Sequence, residues 1–207
     1  MRLVIIAPPG AGKGTQSARI AAHYGIPHIA VGTLLRSHVE LDTRLGRSVR
    51  GYMDRGALVP DRIVLKMVRQ ALADAKANRV GYVLDGFPRT RSQARAAYTA
   101  ASELEMTADV ALHLQVDDAE AVRRMLARAA VEHRPDDAEP VIRRRLALYH
   151  QMTQPVLDGY AERGILRSVD GTGTPEEVTA SVLELLDQVQ ANPPVDAALL
   201  ALRPVLA

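Results

Sequence analysis

Apolar positions along the chain fall either into short unbroken runs or into longer stretches with helical spacing. The run at 3–7 is apolar and partly β-branched, which predicts a buried strand, and 13–24 has the pattern of a helix that ends at Gly25. A second clear helix begins after Pro60, with its apolar side chains on one face. The other elements predicted in this way are strands within 80–90, at 109–116 and near 165–169, and helices at 118–128, 138–162 and 175–190. Strands that alternate with helices predict an α/β fold with a parallel sheet and right-handed crossovers.

Two stretches interrupt this alternation. Residues 30–59 contain only short helical patterns, and 129–136 form a short polar link between two long helices. We therefore expect a core with an insert at 30–59 and a short excursion at 128–137. The tail, 191–207, begins with prolines that end the last helix, and its role is not predicted. The segments assigned to the core are 1–29, 60–127 and 138–190.

The composition fits one large domain with an aliphatic core. The chain has 207 residues, of which 47% are hydrophobic but only 3% aromatic. No apolar run is long enough to span a bilayer, and the N-terminus lacks the pattern of a signal peptide. The absence of cysteine excludes disulfides and thiolate metal sites. We expect a cytoplasmic monomer that binds neither nucleic acid nor membrane.

The loop "PPGAGKGTQ" at 8–16 follows the first strand and opens the first helix. Its glycines, Gly10, Gly12 and Gly14, let the backbone approach a ligand closely. The helix N-terminus adds N–H groups and roughly half a positive charge, so the loop suits a phosphate group. Lys13 can reach the β- and γ-phosphates, and the Thr15 hydroxyl is placed for Mg²⁺ or its waters. Lys13 is one of only three lysines among 26 basic residues; the many arginines reflect either codon usage or guanidinium groups that bind phosphates.

Three motifs in register, "PPGAGKGTQ" (8–16), "DGFPRT" (85–90) and "RPDDAEPVIRRRLALYHQMTQP" (134–155), resemble the adenylate kinases and, more broadly, the nucleoside monophosphate kinases. The resemblance covers about residues 1–190. It implies a P-loop NTPase-type parallel β-sheet flanked by helices, with 30–59 as a helical NMP-binding insert and 128–137 as a short lid. It also implies reversible, Mg²⁺-dependent in-line phosphoryl transfer from ATP to AMP in a closed site. A lid this short gives no support for a structural zinc.

The resemblance assigns roles to individual positions. For ATP it implies Gly10, Ala11, Gly12, Lys13, Gly14, Thr15, Arg124, Arg128 and Gly173. For AMP it implies Val31, Arg36, Ala57, Leu58, Val59, Gly86, Arg89, Gln93, Arg134 and Arg145. Catalysis is assigned to Lys13, Arg89, Arg128, Arg134 and Arg145, and Mg²⁺, through water, to Thr15 and Asp85. We expect Arg123, Arg143 and Arg144 to belong to solvated helix faces instead.

Three departures from the family pattern keep alternatives open. Ala7 stands where the P-loop pattern begins with glycine, and Val31 and Thr33 stand where adenylate kinases usually have threonine and aspartate. An apolar residue at 31 is typical of pyrimidine-specific relatives, whereas Gln93 favours adenine. The alternatives are a UMP/CMP kinase, a nucleotide-binding regulatory paralogue with weak activity, and, with less support, a P-loop kinase of a non-nucleotide acceptor.

Overall fold

The computed structural model describes residues 1–132 and 138–193. Five strands, all parallel, form one sheet in these residues. The strands are β1 Arg2–Ile6, β2 His28–Ala30, β3 Tyr82–Asp85, β4 Val110–Gln115 and β5 Leu166–Asp170. The helices are α1 Lys13–Tyr24, α2 Val31–Glu40, α3 Arg44–Asp54, α4 Asp61–Ala77, α5 Arg91–Glu103, α6 Asp118–Glu132, α7 Glu139–Leu148, α8 Val156–Glu162 and α9 Pro175–Ala191. A π-helical turn at Tyr149–Thr153 joins α7 to α8.

The sheet has the strand order β2-β3-β1-β4-β5, which confirms the predicted parallel α/β fold. Strand β1 is central, and the chain leaves it first toward β2 and β3 and later toward β4 and β5. In open α/β sheets such a reversal of direction creates a crevice at the carboxyl ends of the strands, where ligands bind. The loop after β1 lies at this crevice.

Helices cover both faces of the sheet. On β1, Leu3 and Ile5 belong to the same buried cluster as Ile20 of α1 and Val182 of α9. The intervening residues, Val4 and Ile6, belong to a second cluster with side chains of α4, α5 and α8. Alternate residues of the strand are therefore buried on opposite faces, as expected for a parallel strand covered on both sides. None of the described helices is long and apolar enough to cross a membrane.

The insert at 30–59 consists of α2 and α3, which pack against each other before the chain returns to α4. Gly46 of α3 lies so close to α2 that an added Cβ would collide with the carbonyl oxygen of His38. At its far end, a Cβ added to Gly56 would lie 2.8 Å from Val141 Cγ1. The end of the insert therefore packs against α7, next to the crevice.

The prediction and the structure differ in three helical regions. Helix α6 continues to Glu132, so the first part of the polar link predicted at 129–136 is helical. The single helix predicted at 138–162 is two helices joined by the π-helical turn. Helix α5 was not predicted at all, because most of its apolar residues are alanines and give no strong amphipathic pattern.

Candidate active site

The loop after β1 is shaped for an anion. Gly10 and Gly12 have φ of 86° and 83°, a backbone conformation that side chains other than glycine rarely adopt. Gly12 is the N-cap of α1, and no side chain caps the helix there. The first N–H groups of α1 therefore remain available to a ligand, and the helix dipole favours a negative one.

The ammonium group of Lys13 folds back across this loop. Its Nζ donates to the carbonyl oxygens of Ala7 at 3.1 Å and Pro8 at 3.3 Å. Burial is the main reason that the pKa of Lys13 is lowered to about 8. The positive charges of Arg89, Arg145 and Arg128 contribute to this shift by smaller amounts, whereas the negative charge of Asp85 opposes it. This lysine thus lies among several arginines, an arrangement that a polyphosphate would stabilise.

The alanine that replaces the first glycine of the P-loop pattern fits without backbone strain. Among the described non-glycine residues only Asp42, Arg79 and Glu105 have positive φ, so Ala7 does not. Ala7 is buried within the cluster beneath α1 and α9. Its methyl group contributes to the core, and its carbonyl oxygen holds Lys13.

Asp85 ends β3 and is directed at the phosphate loop. A Cβ added to Gly14 would lie 3.8 Å from Asp85 Oδ2, and the carboxylate side chain is only 14% exposed. Burial alone would raise the pKa of Asp85, but the His28 ring, with Nε2 at 3.6 Å from Oδ2, and the charges of Lys13 and Arg89 hold this pKa below its ordinary value. The carboxylate is therefore ionised at neutral pH.

Two guanidinium groups converge beside Gly32. A Cβ added at Gly32 would lie 3.6 Å from Arg36 Nη1 and 3.9 Å from Arg89 Nη2. Arg36 also donates to Thr33 Oγ1 at 3.1 Å, and Arg89 Nε donates to the carbonyl oxygen of Gly86 at 2.8 Å. Two forked donors at one point form a site for a phosphate group.

A cleft extends from these arginines between the insert and the core. Its lining includes the positions expected to bind the acceptor, apart from one: Val31, Arg36, Ala57, Leu58, Val59, Gly86, Arg89, Gln93 and Arg145. The exception, Arg134, lies outside the described residues. A neighbouring cleft is lined by Lys13 together with Gly86, Arg89 and Arg145. Because the last three residues line both clefts, the acceptor cleft adjoins the cleft at the phosphate loop.

The other side of the loop borders a third cleft, lined by Ala11, Gly12, Thr15, Arg124 and Gly173. Arg124 is held by Glu120 and donates to the carbonyl oxygens of Gly171 and Thr172, both at 2.8 Å. Arg124 therefore fixes the 171–173 loop in addition to facing the cleft. Arg128 follows one turn later on α6 and is partly buried.

The three arginines expected on solvated faces are exposed. Arg123 pairs with Glu120 and Arg143 with Glu139, each within its own helix, and Arg144 is also exposed. Arg123 nevertheless lines the rim of the third cleft, whereas Arg143 and Arg144 line none of the three clefts.

Three polar residues beside the site were not predicted. His28 contacts Asp85, Asp61 accepts a hydrogen bond from Gln93, and Thr153 donates to the carbonyl oxygen of Arg89 at 3.0 Å. Thr153 reaches Arg89 from the π-helical turn, a feature that often occurs at functional sites. No sequence periodicity marks these residues, although Asp61 stands in the first turn of a predicted helix, where acidic residues are usual.

Comparison with known proteins places this architecture in context. The family model described as adenylate kinase matches residues 5–165. The chain is similar to the adenylate kinase of Thermobifida fusca (strain YX), with 44% identity over 186 residues, which covers 90% of this chain and 98% of the relative. It is 45% identical over 190 residues to the adenylate kinase of Pseudarthrobacter chlorophenolicus, covering 92% and 98%. It is 44% identical over 183 residues to that of Leptospira biflexa serovar Patoc, covering 88% and 98%.

Proposed function

This chain belongs to the adenylate kinase family, and from that premise we propose that it transfers the γ-phosphoryl group of ATP directly to AMP, with the residues of the three adjoining clefts in distinct roles. Family membership confirms the resemblance predicted from the three motifs and makes the chain a nucleoside monophosphate kinase. The assignment of individual residues, and the choice of acceptor by this chain, are the substance of the proposal.

The observation that carries the proposal is a pair of adjoining clefts with a phosphate-binding feature in each. The uncapped N-terminus of α1 lies at one end, and Arg36 and Arg89 converge at the other. Lys13 lines the cleft at the phosphate loop, and Arg145 lines both clefts. Phosphoryl transfer requires little covalent chemistry but does require that two nucleotides be held in line and that charge on the moving group be balanced. Two neighbouring anion sites with Lys13 and Arg145 beside them would meet both requirements.

The individual roles follow from position. We assign Lys13 to the β- and γ-phosphates, and Arg36 and Arg89 to the phosphate of AMP. Arg128 and Arg145, with Arg134 of the lid, would surround the transferred group, since planar guanidinium groups match the geometry of phosphate oxygens. Arg124 lines the third cleft beside Gly173, where its planar guanidinium group would stack on the adenine of ATP. No covalent intermediate is involved.

The residues present suit magnesium that arrives with the nucleotide. The ionised Asp85 carboxylate is directed at the first turn of α1, where Thr15 lies. Among residues 1–132 and 138–193, no three histidine, aspartate or glutamate side chains cluster to hold a metal by themselves. Mg²⁺ commonly takes one or two protein ligands and completes its shell with water and substrate phosphates. We propose that Thr15 and Asp85 hold it, Asp85 through water, where it would neutralise charge on the phosphates.

The acceptor site favours a purine with an amino group. Gln93 lines this cleft and can offer both a donor and an acceptor to the N6 and N1 atoms of adenine. Val31, only 2% exposed, offers methyl contacts and no hydrogen bond, so it contributes little discrimination against pyrimidines. This apolar position is the observation that favours the second candidate, a UMP/CMP kinase.

A coupled assay of ADP formation tests the proposal. The purified chain would be incubated with Mg²⁺·ATP and, separately, AMP, CMP, UMP or GMP at equal concentration. We expect AMP to be phosphorylated fastest. Faster turnover of CMP or UMP would support the second candidate instead. ATP binding without phosphorylation of any acceptor would refute the proposed activity and favour a regulatory role.

A further inference from the structure

The amide of Gln93 is held at both ends. Its Oε1 accepts a hydrogen bond from the backbone N–H of Arg89 at 2.8 Å, and its Nε2 donates to Asp61 Oδ1 at 2.7 Å. Gln93 is 2% exposed, so water offers it few alternative partners. The other oxygen of Asp61 accepts from Ser92 Oγ at 3.2 Å, which helps to hold the carboxylate in place.

These two partners allow only one orientation of the amide. An amide turned by 180° would bring its NH₂ group against the N–H of Arg89 and its oxygen against the carboxylate of Asp61. Both contacts would then be mispaired, donor against donor and acceptor against acceptor. The carboxylate makes the second of these contacts the more unfavourable. A backbone N–H cannot become an acceptor, and a carboxylate cannot become a donor unless it is protonated, so the orientation is fixed from both sides.

Each end of the amide still has one free hydrogen-bonding position. An amide oxygen has two lone pairs and an amide nitrogen two hydrogens, of which Arg89 and Asp61 use one each. Gln93 lines the acceptor cleft. A base in that cleft would therefore meet one donor and one acceptor in a fixed order.

The order matters because nucleobases come in two kinds. Adenine and cytosine present an amino group beside an unprotonated ring nitrogen, whereas guanine and uracil present a carbonyl oxygen beside a ring N–H. A freely rotating amide can match either kind by turning over. A base whose phosphate is held by Arg36 and Arg89 cannot itself turn over to compensate.

We propose that Asp61 is a specificity-determining positioning residue, which holds the Gln93 amide in the orientation that accepts adenine and cytosine and rejects guanine and uracil. This inference rests on the proposed function, in which Gln93 reads the acceptor base. It also divides the selection into two parts: Asp61 and Gln93 separate amino bases from keto bases, while size separates adenine from cytosine.

The test compares Asp61→Asn with the wild-type chain. The asparagine amide can donate or accept, so one of the two restraints on Gln93 is lost while the shape is retained. We expect the GMP/AMP and UMP/CMP ratios of kcat/KM each to rise at least about tenfold, with the CMP/AMP ratio and the KM for ATP changed by less than about threefold. Asp74→Asn is the matched control, because Asp74 is an exposed carboxylate of the same helix that binds a glutamine amide, Gln70.

The possible outcomes distinguish failure of the positioning role of Asp61 from failure of the proposed function. If Asp61→Asn lowers kcat/KM for all four acceptors in parallel, or leaves their ratios unchanged, the positioning role is refuted. If the Asp61→Asn variant does not fold, Ser92→Ala provides a second test, because it removes the hydroxyl that donates to the other carboxylate oxygen of Asp61. This variant should shift the same kcat/KM ratios in the same direction by a smaller factor. Unchanged ratios would refute the positioning role. Gln93→Ala tests the proposed function separately. If kcat/KM for the four acceptors is unchanged in that variant, Gln93 does not recognise the acceptor base.

Discussion

Replacing Lys13 with methionine should change activity and stability in opposite directions. The substitution keeps the length of the side chain and removes a cation from the site of transfer. Loss of one preorganised electrostatic contact with developing charge typically costs about 3–4 kcal/mol, so kcat should fall by about 10²–10³. The control is Lys66→Met, which removes an exposed lysine of α4 and should leave kcat unchanged.

The effect on stability follows from the lowered pKa. Folding lowers the pKa of Lys13 from 10.5 to about 8. Because each pKa unit corresponds to about 1.4 kcal/mol, the charged amine destabilises the folded state by up to about 3 kcal/mol. Partial exposure of the side chain reduces this figure, and loss of the two hydrogen bonds to Ala7 and Pro8 offsets about 1 kcal/mol each. We expect the Lys13→Met variant to be about 1 kcal/mol more stable at pH 7, which raises Tm by about 2–4 °C.

The pH dependence has a definite sign. Because the folded-state pKa of Lys13 lies below its unfolded-state value, the destabilisation is fully present below pH 8 and disappears as the pH rises through 10.5. Thermal unfolding of both proteins without nucleotide at pH 7 and at pH 10.5 would measure it, and the advantage of the variant should vanish at the higher pH. A variant that is less stable at pH 7 would refute the electrostatic argument, and near-normal turnover would show that Lys13 does not contact the transferred group.

Three further results are expected from the same geometry. Arg36→Ala should raise the KM for AMP much more than the KM for ATP, because Arg36 lines the acceptor cleft. The control is Arg50→Ala, which removes an exposed arginine of the same insert, and equal effects of Arg36→Ala on both substrates would contradict the assignment. Val31→Thr should increase the preference for AMP over pyrimidine nucleotides by up to about tenfold, because the added hydroxyl can form roughly one hydrogen bond with the base. The assay with the four acceptors measures this preference, and an unchanged preference would show that no base atom lies within reach of this position. Two adenosines joined by five phosphates should close the insert and lid over the site and decrease the radius of gyration in small-angle scattering, whereas an unchanged radius at saturation would indicate a preformed site.

Local signals in the sequence were sufficient where one residue type alone determines the backbone. Helix α1 has the predicted bounds because Gly25, with φ of 62°, ends it, and the loop before it depends on Gly10 and Gly12 for the same reason. Helix α5 does have a sequence signal, since Thr90 accepts a hydrogen bond from the backbone N–H of Gln93 as its N-cap. That signal was outweighed by the run of alanines, which bury little surface and give a weak pattern.

The contacts that orient the site could not be read from the sequence. Asp61 and Gln93 are 32 positions apart, and Thr153 and Arg89 are 64 apart. Each pair meets only because the parallel sheet brings α4, α5 and the π-helical turn to the same crevice. A motif indicates which side chains bind the ligand, whereas the partners that hold those side chains depend on the whole fold.

The close packing of the phosphate loop on α6 links two parts of the donor site mechanically. A Cβ added at Gly10 would lie 2.5 Å from the carbonyl oxygen of Ala121, so the loop and the helix touch with no intervening side chain. The same helix carries Arg124 and Arg128 in its next turns, one turn apart from each other. A larger residue at position 10 would push helix α6 away from the loop and displace both guanidinium groups together. The glycine therefore acts as a spacer that sets the distance between the phosphate loop and the helix that carries both arginines, and its left-handed backbone conformation keeps other residue types out of this position.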